Sequence, residues 1–149
     1  MPAIQTVYTD APVKGFPGQV RNGETSNRIS RTVEDAAGLA FGAPAFRGAG
    51  DHGVTGTPSA AFMGWVIADH GEQVMPGGTA DTVAQYNTAA LMTLGSIFVT
   101  AGVAVADGEQ VYVTAGKVIT NVAAGNTIIA GWFFDETIAA AGIVGVVRR

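Results

Sequence analysis

The chain has no cysteine in its 149 residues, which excludes a disulfide scaffold, thiolate metal sites and a cysteine nucleophile together. It also has little charge: Asp, Glu, Lys and Arg make up 13%, against about 25% in an average globular protein. No Lys or Arg occurs between Gly48 and Gly116, and the formal net charge is −4. A groove gripping phosphates would need cations there, so nucleic acid is not an expected partner. Histidine is limited to His52 and His70, and no serine sits in a Gly-x-Ser-x-Gly elbow. Each His follows an Asp in a Gly-containing turn, without helical spacing or a third ligand at a familiar distance. No cofactor, metal or catalytic residue is therefore expected. Asp135 and Glu136 are adjacent carboxylates that alternate across a strand or end it, so they would not converge on one substrate.

What is present in quantity is glycine, 21 residues, and hydrophobic side chains, 48%. A domain of this length buries about 68–70% of its unfolded surface and needs no covalent staple. Its residual surface is too poor in charge to face only water, which points to concealment against other chains. The most apolar stretch, 128–147, carries Asp135 and Glu136 near its middle, so no membrane span is expected. Nor does the N-terminus show the basic-then-apolar pattern of a signal peptide.

Residues 1–26 are interrupted by Pro2, Pro12, Gly15, Pro17, Gly18 and Gly23, yet carry Ile4, Val7, Tyr8, Val13, Phe16 and Val20 as separate apolar anchors. A flexible linker would lack such anchors. This stretch reads as an extended arm lying on a surface and dispensable to the fold, and 27–149 as the domain. Strands are expected over 28–33, 39–46, 62–68, 96–100, 110–114, 117–120, 127–134 and 143–147, separated by turns such as Asp107-Gly108 and Ala115-Gly116. The class is all-β: a single small barrel or sandwich with an extended N-terminal arm. Residues 79–94 fit both a helix (Val83, Tyr86, Ala90, Leu94) and a strand (Tyr86, Thr88, Ala90, Met92, Leu94), and periodicity does not choose.

Two motifs invite other readings. Gly48-Ala-Gly50-Asp-His-Gly53 has the letters of a dinucleotide fingerprint, but Gly56 and Pro58 forbid the helix that would hold the pyrophosphate. Trp65 and Trp132 lie in apolar strands, where core or interface is the plain reading. A stacking platform for sugars is the alternative and would make the protein a β-sandwich carbohydrate- or ligand-binding module.

Several stretches in order carry a resemblance: Ser30-Arg31-Thr32-Val33-Glu34, Ala36-Ala37-Gly38-Leu39-Ala40-Phe41-Gly42, Phe62 through His70, Ala84 through Leu91, Gly95-Ser96-Ile97-Phe98-Val99, Asp135-Glu136-Thr137 and Gly145-Val146-Val147-Arg148. Together they resemble the structural cement (head decoration) proteins of tailed bacteriophages over nearly the whole chain. Leu94-Gly95-Ser96 departs from the expected pattern in having no basic residue. The resemblance implies a non-catalytic protein on the outside of the capsid, made in the bacterial host cytoplasm. Its partner would be the major capsid protein, and it would clamp capsomers as a homo-oligomer, a trimer ahead of a dimer. It also favours a strand from about Tyr86 over the helix. Ile4, Val7, Tyr8, Val13, Lys14, Phe16, Arg21, Arg28 and Arg31 are then the expected capsid or subunit interface, with the cations facing carboxylates on the shell.

Overall fold

The computed structural model describes residues 14–71, 74 and 76–149. All regular elements in it are strands: β1 (Asn27–Val33), β2 (Leu39–Ala40), β3 (Pro44–Arg47), β4 (Gly53–Thr55), β5 (Phe62–Val66), β6 (Thr82–Val83), β7 (Thr88–Ala101), β8 (Gln110–Val113), β9 (Ile119–Thr120), β10 (Thr127–Phe134) and β11 (Gly142–Arg148). The all-β expectation holds, and so does the rejection of a helix over 79–94.

β7 organises the molecule. Its 14 residues are more than twice the usual strand length of about 5–6, enough to serve two sheets in succession. Residues 88–94 pair with β1 on one side, and Leu91 and Met92 pair with β5 on the other. With β3 and β4 this closes a five-strand barrel in the order β1-β4-β3-β5-β7. From Gly95 onward β7 pairs with β11 instead, leading a second sheet β7-β11-β10-β8-β9 that returns to β7 through Ala101 and Ile119. Gly95 stands at the change of partners with φ +124°, a conformation side chains rarely adopt, and a Cβ there would crowd Ser26.

Two apolar clusters follow from this plan. Val33, Leu39, Val54, Val66, Val83 and Leu91 fill the barrel. Trp65, Phe46 and Met92 turn outward from it and join Val111, Ile129, Trp132 and Val146 under the second sheet. Trp65 and Trp132 meet edge to face at 5.8 Å, and Phe62 packs on both. Both indoles are completely buried, so neither offers a face to a sugar and the stacking-platform alternative loses its basis.

The indole N–H groups of Trp65 and Trp132 reach no acceptor among the described residues. Replacing Trp132 by Phe therefore removes an unpaired buried donor along with some packing. We expect Trp132→Phe to cost no more than about 1.5 kcal/mol, where Trp132→Ala costs about 3–5 kcal/mol, as urea melts would measure.

Several boundaries differ from the sequence reading for local reasons. The single strand expected over 39–46 is broken into β2 and β3 at Gly42, whose N–H donates to the Val66 carbonyl and which lies against Gly18. Tyr86 and Lys117 have φ of +66° and +67°, so both sit in turns, and β7 and β9 begin two residues after them. β10 departs from strict alternation at Gly131, where a register shift places both Ile129 and Trp132 inward and leaves Ile128 and Phe133 outward. β4 and β6 escaped the pattern because strands of three and two residues are too short to show a period.

Candidate functional site

The described part of the expected arm is a strap docked on its own domain. Gly18 donates to the Phe98 carbonyl at 2.8 Å, Phe98 donates back to Gln19 at 3.0 Å, and Arg21 donates to Ser96 at 3.0 Å. Ala68 donates to the Gly18 carbonyl at 2.9 Å, so the strap joins the end of β5 to β7. Val20 forms an antiparallel bridge with Ile97 and packs on the second core. Pro17 and Gly18, which read as breakers, here turn the chain into the seam between the two sheets. Residues 14–21 are thus part of the folded unit, and the expectation that the whole arm is dispensable is replaced by one confined to the residues before Lys14.

Charge holds the strap in place. Arg21 donates to Asp135 through one guanidinium nitrogen and to Glu136 at 2.8 Å through the other. Lys14 reaches Glu136 at 3.0 Å, and Arg149 reaches Glu24 at 2.8 Å and Asp135 at 3.4 Å. Three cations and three carboxylates therefore link the strap, the β10–β11 connection and the C-terminal residue. Asp135 and Glu136 end β10, one of the two placements the sequence allowed, and because strand alternation no longer applies there both reach Arg21. They converge on a guanidinium of the same chain.

Three carboxyls are held below the usual carboxylate range. The Arg149 hydrogen bond does this for Glu24. Burial pushes Asp35 up, but the Thr55 hydroxyl, the Gly56 N–H and Lys117 together outweigh it. For Glu109 the causes are the Ala106 N–H and then the Asn121 amide. A depressed folded value contributes stability at neutral pH that is lost as pH falls through it. Thermal melts should therefore be flat from pH 7 to about 5 and decline below about 4, where carboxyls ordinarily titrate.

The other expected interface residues are placed unevenly. Ile4, Val7, Tyr8 and Val13 lie outside the described residues. Phe16 is partly exposed and packs edge-on against His70 at 4.8 Å. Arg28 is exposed on β1, and Arg31 curls onto the Ser30 carbonyl at 2.9 Å. Neither makes an ion pair with a described residue, whereas Lys14 and Arg21 are neutralised within the chain.

The Gly48–Gly53 loop has a structural occupant. The Glu34 carboxylate accepts from the Ala49 and Gly50 N–H groups, each at 2.7 Å, and Gly53 opens β4 beneath it. Its glycines leave room for this side chain, the role a phosphate would have in the nucleotide reading. Among the described residues no group of three His, Asp or Glu side chains is placed to hold a metal ion.

A family model described as "Structural cement protein (E217 gp24/Pam3 gp6)" matches residues 4–149. The chain belongs to the phage structural cement protein family. A chain from the solved structure titled "The capsid of Myoviridae Phage XM1" shares the fold of this cement protein. Its TM-score is 0.68 at 18% identity, covering 99% of this chain and 97% of that one. No curated protein matches the chain. Family membership makes this a structural protein of the phage particle.

Proposed function

We propose that this cement protein binds the outer surface of the phage head and stabilises contacts between neighbouring capsomers of the major capsid protein, without catalysis. The observation that carries the reading is the family match over 4–149, nearly the full chain. The surface chemistry supports it. Charge is scarce, and Ile128 and Phe133 stand about half exposed on the outer face of β10, where water alone is a poor neighbour.

Attachment draws on two features. Ile4, Val7, Tyr8 and Val13 precede the strap and supply apolar anchors to a partner surface, each contributing about 1.5–3 kcal/mol when fully buried. Arg28 and Arg31, unpaired within the described chain, face carboxylates of the shell. A homo-oligomer, a trimer before a dimer, sits on a lattice position of matching symmetry and multiplies weak contacts. The chain is made in the host cytoplasm and ends on the virion exterior.

Heads assembled with and without the protein test this directly: the complete heads should survive heating and low salt that open the bare ones. Equal survival would end the stabilising role. Arg28→Glu combined with Arg31→Glu should weaken co-sedimentation with heads about tenfold or more, and the remaining binding should depend less on salt.

A further inference from the structure

β1 is seven residues long and β4 only three, and their pairing stops at Thr32 and Val33. The turn that opens β4 accounts for the mismatch. The Gly48 N–H donates to the Gly53 carbonyl at 2.9 Å and the Gly53 N–H to the Gly50 carbonyl at 3.1 Å. The Glu34 carboxylate then holds this turn beside the far end of β1. Residues 27–31 therefore have β7 on one side and no strand among the described residues on the other.

Two hydrogen bonds fix which backbone groups face that open side. The Val33 N–H donates to the Asn87 carbonyl at 3.0 Å, towards β7, and the Thr32 N–H donates to the His52 carbonyl at 2.9 Å, towards β4. Successive residues of a strand alternate, so Ile29 and Arg31 serve β7 while Arg28 and Ser30 turn their N–H and carbonyl groups to the open side. Both of the latter residues are exposed. The Ser30 carbonyl is occupied only by the guanidinium of the next residue, Arg31, at 2.9 Å.

Charge selects what this edge can take. Arg28 shares the outer face with Ser30, whereas Arg31 belongs to the face of Ile29 and Val33, which pack on the barrel core. The two cations thus flank the edge from its two faces, and neither has a carboxylate partner among the described residues. A second β1 laid alongside would set arginine against arginine, which disfavours self-pairing. Edges guarded only against pairing are given Lys or Pro; β1 has neither, and a guanidinium fork matches a carboxylate. Carboxylates three positions apart on an added strand also fall on opposite faces.

We propose that the open edge of β1 receives an extended segment of another protein as an added strand, with two carboxylates three residues apart pairing with Arg28 and Arg31. Arg31 then yields the Ser30 carbonyl to an incoming N–H. The inference rests on the cement reading, in which the segment belongs to the capsid shell, and gives that contact main-chain hydrogen bonds as well as charge.

Hydrogen exchange separates strand addition from a contact of charges alone. The full-length protein, free and bound to heads, is exchanged, quenched and fragmented for single-residue mass analysis. The Arg28 and Ser30 amides should slow about tenfold or more on heads, while those of Ile29 and Arg31, already bonded to β7, change little. Unchanged Arg28 and Ser30 rates in head-bound protein would overturn the proposal. So would protection in the free protein that is lost on dilution, which would make a second copy the occupant. Ser30→Pro removes an N–H that the chain itself does not use, and should weaken head binding about tenfold or more in a protein whose melt shows it folded. Unchanged binding would overturn the proposal, and the exchange measurement decides it without any variant should Ser30→Pro not fold. The peptide Thr-Glu-Val-Thr-Glu-Val-Thr, at millimolar concentration, should protect the same two amides, and its counterpart with Lys for Glu should not. Equal protection by both peptides, or protection by neither heads nor the Glu peptide, would overturn the proposal. Protection by the Glu peptide in a protein that does not bind heads would support the edge and refute the cement reading.

Discussion

Replacing Arg21 by Ala should lower the melting temperature by about 5–10 °C, the largest effect expected of any exposed or half-exposed residue in the chain. The side chain is about one-fifth exposed, and its two carboxylate partners, Asp135 and Glu136, are 23% and 16% exposed. An exposed ion pair contributes at most about 1 kcal/mol, whereas removing one partner of a buried pair costs about 3–5 kcal/mol. The half-buried setting of Arg21 places the loss near 2–3 kcal/mol, because Asp135 and Glu136 are left adjacent with less cationic compensation. Arg21→Lys should recover only part of it, since an ammonium does not span two carboxylates as a guanidinium fork does. In an Asp135→Asn, Glu136→Gln background the Arg21→Ala penalty should largely vanish, which separates the ion pairing from the guanidinium's contact with the Phe98 ring, 6.0 Å from its centroid. Truncation extends the argument. Loss of residues 1–13 should leave the melt unchanged, while loss of 1–21 also strips four backbone hydrogen bonds from β5 and β7 and should lower it further than Arg21→Ala. Equal melts for the two truncations would mean that the strap is ornamental.

The second large effect is expected at Gly53. A Cβ there collides with the Glu34 carboxylate, which sits between Gly53 and the Ala49 and Gly50 N–H groups. Gly53→Ala must expel that carboxylate, forfeiting charge-assisted hydrogen bonds worth about 1.5–3 kcal/mol and disturbing the β1–β4 pairing of Thr32 with Gly53 that helps close the barrel. We expect a total cost of about 3 kcal/mol by chemical denaturation. Glu34→Ala alone should cost about 2 kcal/mol, and the double variant little more than that, because the collision disappears with the side chain. Additive losses would show that Gly53 is needed for some reason other than room for Glu34.

The two positions show how far the residues could be read in advance. Gly53 was visible as part of a glycine-rich motif, and Gly56 and Pro58 were enough to reject a nucleotide. Nothing in the motif named Glu34, fourteen residues before Gly48, because the contact is made only when β1 and β4 lie side by side. Arg21 was likewise recognised as a cation in a broken segment and assigned to a partner surface. Its partners lie 114 and 115 positions away, at the end of β10.

By itself the sequence determined the class of the molecule. Short apolar runs between glycine turns point to strands, the lack of cysteine excludes disulfides and thiolate sites, and the order of segments over the whole length carries the resemblance to the cement family. These are properties of composition and local period, which each residue and its near neighbours express without reference to the rest of the chain. Only the tertiary structure decided that β7 serves two sheets and that Gly131 turns Trp132 into the core. It also decided that the surface on which residues 14–21 lie is the seam of their own domain. Those outcomes depend on which distant backbone edge is left open for hydrogen bonding and which carboxylate needs a cation. That information exists only once the strands have been brought together.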